Sequence, residues 1–239
     1  MKSYRLFLFI SVHVPFGLAQ GAPSSNVAWT VETHKLVRKG DAAIGAKIET
    51  VETEDVNACT DCHGPGGSEP DRDKHPTLAG QLAAYTFKQL KDYKDGSREN
   101  RRMNEAVERL TDEQLAALAA WYAQQPIATV EVDEEESVSE DTVRLVFRGD
   151  KKRLIQPCAS CHGPRGEGAI IDVPAIAGQN VKYFVNTMKD YAKGERANDI
   201  YMRIIAQALT REEIDELAVY YARLGNDQGS GGPKQAKAD

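Results

Sequence analysis

The chain has little of several things. Its 239 residues hold four cysteines, two tryptophans and an aromatic share of 7%. Four cysteines are too few for a disulfide scaffold of this size. Beyond the N-terminus no run of about 20 apolar residues occurs, which excludes a polytopic membrane protein. An excess of positive charge is also missing. Thirty Lys and Arg stand against 36 Asp and Glu, a net charge of −6, which argues against a nucleic-acid partner, since such proteins need a basic footprint. The 41% hydrophobic content is too high for a wholly disordered chain. One large domain or two small ones would fit the length.

The N-terminus has the order of an export signal: charge at Lys2 and Arg5, an apolar run from Leu6 to Val14, then small residues at Gly17, Ala19 and Gly21. The apolar run is too short to span a bilayer. Cleavage near residue 22 removes two bases and no acids, leaving a mature chain of net charge −8. The expectation is an exported, acidic, soluble protein in the periplasm, with at most peripheral membrane association.

The chain then repeats itself. Cys59-Thr60-Asp61-Cys62-His63-Gly64-Pro65 recurs as Cys158-Ala159-Ser160-Cys161-His162-Gly163-Pro164, and Pro76-Thr77-Leu78-Ala79-Gly80-Gln81 as Pro174-Ala175-Ile176-Ala177-Gly178-Gln179. Lys91-Asp92-Tyr93 with Gly96 and Arg98 matches Lys189-Asp190-Tyr191 with Gly194 and Arg196, and Leu118-Ala119 to Tyr122 matches Leu217-Ala218 to Tyr221. Upstream, Gly40-Asp41 pairs with Gly149-Asp150. On that pairing Gly40 to Cys59 is ten residues longer than Gly149 to Cys158, with Ile48 to Val56 read as inserted. Ordered repetition of this kind means two copies of one small domain. The division reads as a signal at 1–22, domains at 23–128 and 143–226, an acidic linker at 129–142 and a flexible tail at 227–239. Seven acids and no base lie between Pro126 and Val143, so that segment reads as an extended, solvated connector, with a docking patch as the alternative.

Each copy reads as helical. Leu82, Tyr85, Leu90 and Tyr93 form one apolar face, and Thr111 with Gln114, like Thr210 with Glu213, forms a capping box that opens a final helix. No convincing alternating strand is present, and the fold class is all-α.

Two cysteines three apart, followed at once by histidine, make a haem-attachment signature. Two thiols one helical turn apart can form thioethers with the two vinyl groups of one haem, while the adjacent imidazole meets the iron. A thioredoxin-like pair lacks the βαβ setting, and a shared zinc site would have to close a gap of 96 residues. Cys59, Cys62, Cys158 and Cys161 therefore read as anchors for two covalent haem c groups, with His63 and His162 as axial iron ligands. For the sixth position, Met103 and Met202 each lie 40 residues beyond their histidine. Packing in a core is the other use for these methionines, and Met188 reads that way. His75, 12 residues past His63, is a rival in the first copy, but its counterpart is Val173, which makes it a surface or haem-rim histidine.

These residues resemble the class I c-type cytochrome domain, duplicated as in the cytochrome c4 family of dihaem cytochromes, over about Gly40 to Leu224. The resemblance implies two tandem cytochrome c lobes, each wrapped around one haem with His/Met ligation and packed about a pseudo-two-fold axis. It further implies that Pro76 and Pro174 offer carbonyls to the proximal histidines. Two departures stand out. The proline that often precedes the methionine by two residues is replaced by Arg101 and Ile200, and the two methionine segments differ by one residue in local register. Iron with six ligands has no position open for substrate, so the chain reads as an electron-transfer protein with no catalytic site. It would be a one-electron carrier between a quinol-oxidising membrane complex and a terminal oxidase or reductase. The alternative is the dihaem subunit of a dehydrogenase, such as a flavocytochrome acting on sulfide or thiosulfate.

Overall fold

The computed structural model describes residues 27–229 apart from 55, 71–73, 133, 134, 170 and 172. The expected signal at 1–22 and the last ten residues lie outside this set. Eleven α-helices are described: α1 (Val31–Arg38), α2 (Ala42–Ile48), α3 (Thr60–His63), α4 (Ala83–Asp95), α5 (Arg101–Val107), α6 (Asp112–Ala123), α7 (Glu140–Arg148), α8 (Cys158–His162), α9 (Val181–Lys193), α10 (Ile200–Ala208) and α11 (Arg211–Gly229). Among the described residues β-structure is limited to two isolated bridges, Asp150–Ile155 and Ala169–Val173. The fold is all-α, and no helix among those residues is long and apolar enough to cross a membrane.

Local chemistry sets the helix starts. Thr111 accepts the Gln114 amide at 3.3 Å while the Gln114 side chain accepts the Thr111 amide at 2.8 Å. Thr210 and Glu213 repeat this at 3.2 and 2.9 Å. Each box satisfies two of the amides that a helix start leaves without partners. The helices so opened are the spines of the two lobes. Leu115 and Ala119 of α6 are fully buried, packed with Val37, Phe87, Tyr93 and Val107. Leu217 and Tyr221 of α11 pack on Val146 of α7, and Ile214 packs on Met188, Tyr191 and Ala206.

The structure corrects the repeat at one point. Asp41 caps α2 through the amides of Ala43 and Ile44, and Ser139 caps α7 through Thr142. The helices α2 and α7 each pack on the closing helix of their own lobe. These caps lie 18 and 19 residues ahead of Cys59 and Cys158, so α2 and α7 are the equivalent elements and no ten-residue insertion exists. What the first lobe adds is α1, laid against α4 and α6. The Gly-Asp dipeptide misleads because it serves opposite helix ends: Gly40-Asp41 opens α2, whereas Gly149 closes α7. The two crossings are also built differently. A Cβ on Gly45 would sit 2.2 Å from the Ala117 carbonyl oxygen, so α2 and α6 meet backbone to backbone. In the second lobe, Val143 takes the place of Gly45 by its distance from the cap, and α7 packs on α11 through Val146 against Leu217 and Tyr221.

The ends of the acidic segment are tied to the second lobe. Val130 and Asn226 exchange two hydrogen bonds of 2.8 Å, and Ser139 donates to Glu216. Helix α7 already begins at Glu140, inside the segment read as linker. Glu140 and Asp141 therefore occupy a first helical turn, where the helix dipole favours acids. Likewise α11 runs on to Gly229, past the start of the segment read as a flexible tail.

Candidate functional site

Both Cys-x-x-Cys-His motifs coil into a single helical turn. In α3 the His63 amide donates to the Cys59 carbonyl at 3.0 Å, and α8 spans the whole second motif. His63 and His162 are both buried. Each imidazole Nδ1 lies 3.0 Å from a proline carbonyl oxygen, Pro76 for His63 and Pro174 for His162. A carbonyl can only accept, so Nδ1 carries the proton and Nε2 keeps the lone pair a metal needs. Burial, only partly opposed by the bond to Pro174, holds His162 below the ordinary histidine range and hence neutral.

The loops after the motifs are pinned alike. Leu78 and Ala79 donate to the Gly67 carbonyl, and Ile176 and Ala177 to the Gly166 carbonyl. Gly80 donates to the Tyr122 carbonyl at 2.9 Å, and Gly178 to that of Tyr221 at 3.0 Å. Gly67 and Gly166, with φ of 72° and 68°, lie where an added Cβ would come within about 3 Å of the Tyr122 and Tyr221 rings, so only glycine suits both backbone and space.

Met103 and Met202 share one local frame. Each is the third residue of its helix, with its amide held by the N-cap side chain: Asn100 at 3.2 Å and Asp199 at 3.0 Å. The one-residue difference in register read from the sequence is absent, because the register is set by the caps rather than by neighbouring side chains. Both methionines are partly buried against their lobe's core, and Met188 lies within the second core. His75 sits with its ring centroid 5.8 Å from that of His63, and His34 is exposed, packed on Trp29.

Helix α4 departs from its expected single apolar face. Phe87 and Tyr93 enter the core, but Lys88, Gln89 and Asp92 are buried as well, facing the other lobe. Here the repeats exchange partners. Arg98 donates to Tyr183 at 3.0 Å and Arg196 to Tyr85 at 2.9 Å, and both guanidiniums meet Gln89. Each guanidinium also lies over a tyrosine of its own lobe, Tyr93 at 4.5 Å and Tyr191 at 4.6 Å. Asp92 accepts from Lys88 at 2.8 Å and from Asn198 at 2.7 Å. Closer to the histidines, the two Pro-x-x-Ala-Gly-Gln stretches clasp each other through Gln81 and Gln179. The repeated motif pointed to these residues, but not to their meeting across the lobe boundary.

With this geometry in view, the comparisons are decisive. The Cytochrome c family profile matches residues 52–125. The chain is 33% identical to the thiosulfate dehydrogenase electron acceptor of Stutzerimonas stutzeri over 91% of its own length and 98% of the relative's. It is 33% identical to cytochrome c4 of Pseudomonas aeruginosa, covering 77% of this chain and 89% of that one. The chain belongs to the cytochrome c4 family. The solved structure of reduced cytochrome c4 from Pseudomonas stutzeri superposes with a TM-score of 0.63 at 27% identity, covering 77% of this chain and 98% of that one. As a cytochrome c4 relative it is a dihaem electron-transfer protein carrying two haem c groups, not an enzyme.

The residues present fit such groups. The phenols of Tyr122 and Tyr221 are buried, one facing the Cys59 thiol and one the Cys158 thiol. In each lobe the motif thus offers two thiols one helical turn apart and a buried imidazole whose Nε2 keeps its lone pair for a metal. Burial also raises the Cys59 and Cys158 thiols. No group of three or more His, Cys, Asp or Glu that could hold a metal ion occurs among the described residues. An iron carried by a porphyrin takes at most two side chains from the protein and requires no such cluster.

Proposed function

We propose that Cys59 and Cys62 anchor one haem and Cys158 and Cys161 the other, with His63 and Met103, and His162 and Met202, as the axial pairs. The observation that carries this reading is the duplicated histidine seat: two buried imidazoles, each fixed through Nδ1 by a proline carbonyl at 3.0 Å. A carbonyl at that position orients the ring and raises its basicity as a ligand. Bound haem supplies one-electron chemistry between Fe(II) and Fe(III), with its potential raised by thioether ligation. The protein's part is to hold the ligand set rigid and dry. Arg196 and Lys88 are buried and Arg98 half-buried at the lobe boundary, where Asp92 is the buried carboxylate. Burial would push the Tyr183 phenol up, yet the neighbouring Arg98 and Arg196 guanidiniums pull it below its usual range. Three cations beside one carboxylate suit the carboxylates a haem carries.

We further infer lobes at 23–128 and 143–226, the second also taking in the first turn of α7 from Glu140, joined through the rest of the acidic segment 129–142, and export to the periplasm by cleavage of the first 22 residues. Within the periplasm the protein carries electrons between a quinol-oxidising respiratory complex and a terminal oxidase or reductase. A second reading has it accept electrons from a thiosulfate-oxidising dehydrogenase, and the relative of that name aligns over 91% of the chain. Unequal lobe faces support distinct entry and exit points. Beside Met103, α5 exposes Arg101, Arg102 and Glu105, whereas α10 exposes Ile200, Tyr201 and Ile204 beside Met202. Stopped-flow reduction of the oxidised protein separates the readings. Fast reduction by a quinol:cytochrome c reductase, with slow reduction by thiosulfate plus its dehydrogenase, supports the first, and the reverse order supports the second.

A further inference from the structure

The peptide unit between Pro76 and Thr77 is engaged at both ends. Its carbonyl oxygen lies 3.0 Å from His63 Nδ1, and its N–H donates to Gln179 Oε1, from the other lobe, at 2.9 Å. The unit between Pro174 and Ala175 repeats this. Its carbonyl lies 3.0 Å from His162 Nδ1, and its N–H donates to Gln81 Oε1 at 2.9 Å. Both glutamines are held firmly. Gln179 Nε2 donates to the Thr77 carbonyl at 3.1 Å and Gln81 Nε2 to that of Ala175 at 2.8 Å. Each Oε1 also accepts the next backbone amide of its own chain, Asn180 or Leu82, at 2.9 Å.

Hydrogen bonds in a chain polarise one another. A peptide N–H that donates shifts density through the conjugated C–N bond to its own oxygen. That oxygen then draws the histidine proton more strongly, and Nε2 becomes a more basic ligand that favours ferric iron. We propose that Gln179 is a positioning residue for His63 and Gln81 one for His162, so that each lobe sets the reduction potential of the other lobe's haem. This rests on the reading of His63 and His162 as iron ligands. The two devices differ in one group. Thr77 Oγ1 has a single proton and lies 3.0 Å from the Gly178 carbonyl oxygen and 3.1 Å from Gln179 Oε1, whereas Ala175 has no hydroxyl.

The test uses the full haem-loaded protein, titrated spectroelectrochemically, with each haem followed through its own NMR resonances. Gln179→Leu should raise the potential of the N-terminal haem by a threefold to tenfold shift in its equilibrium, about 30 to 60 mV at 59 mV per decade. It should also move the His63 Nδ1 proton upfield in the ferrous protein, with the His162 proton unmoved. Gln81→Leu should do the same to the C-terminal haem. Gln179→Glu keeps an acceptor at Oε1 and should hold the His63 proton downfield. A change confined to the mutated residue's own lobe, or an unmoved His63 proton in Gln179→Leu, would overturn the proposal. So would equal shifts of both haems, the signature of lobes coming apart. Failure of the ligand assignment is separate: His63 ring protons would then lack a paramagnetic shift in the ferric protein of every variant.

Discussion

Asp92 and Asp190 occupy the same place in the two repeats, yet their surroundings differ, which makes a controlled experiment. Asp92 is fully buried and accepts from the buried Lys88 ammonium at 2.8 Å and from Asn198 of the other lobe at 2.7 Å. Removing one partner of a buried ion pair costs about 3–5 kcal/mol, because the other charge is left without a counterion. Asparagine keeps one neutral acceptor, worth about 1 kcal/mol. Asp92→Asn should therefore destabilise the protein by about 2–4 kcal/mol. For Asp190, burial and the neighbouring Glu195 raise the carboxyl above its usual range. A raised acid binds its proton more tightly when folded, so its contribution is largest in acid and falls as pH rises through the folded value. At pH 7 Asp190→Asn removes an unfavourable charge. It should leave stability unchanged or raised, and the gain should vanish in acid. Urea denaturation of the haem-loaded protein, followed by circular dichroism at pH 7 and in acid, measures both. Equal costs for the two substitutions at pH 7 would refute the reasoning. In an Asp92→Asn background, Lys88→Met should recover part of the loss, since it removes the stranded charge.

Further outcomes follow from particular contacts. Burial counts for less at Glu213 than its bonds to Arg153, which hold its carboxyl below the usual range. A depressed acid stabilises above its unfolded pKa and loses that contribution as pH falls through the folded one. Glu213→Gln should therefore cost up to about 1 kcal/mol at pH 7 and nothing in strong acid, read from denaturation midpoints across pH. Gly45→Ala drives a methyl into the Ala117 carbonyl and should lower the melting temperature of the loaded protein, with a cost of about 1–3 kcal/mol. Substitution at Val143 of α7, whose side chain is half-buried, should cost less. Reversing Arg101 and Arg102 to Glu should change the salt dependence of electron exchange with one partner, because exposed charges steer encounter rates. Ile204→Ser should instead slow exchange at the other lobe without altering its salt dependence, as stopped-flow traces at several ionic strengths would reveal.

The parts legible in the sequence were those written in local chemistry. Cys-x-x-Cys-His is one helical turn with its own spacing, and a Thr-x-x-Gln or Thr-x-x-Glu box opens a helix wherever it occurs, so the motif turns and α6 and α11 could be read directly. The family resemblance rested on the same ordered motifs. What escaped depends on the other lobe. Lys88, Gln89 and Asp92 lie off the apolar face marked by Leu82, Tyr85, Leu90 and Tyr93, and only the second lobe makes them interior. The pairing of Gly40-Asp41 with Gly149-Asp150 failed because two residues cannot tell a helix start from a helix end. Gln81 and Gln179 stood out as repeated residues, but their task lies on the opposite copy, where periodicity says nothing.

The central claim is two haems, one per lobe, each with a histidine and a methionine on its iron. The most direct measurement is the weak near-infrared charge-transfer band of thioether-ligated ferric haem, in the native protein and in Met103→Ala and Met202→Ala. The account predicts the band in the native protein, with about half its intensity lost in each single variant and all of it in the double variant. A full band in either single variant, or no band with high-spin features in the native protein, would contradict it.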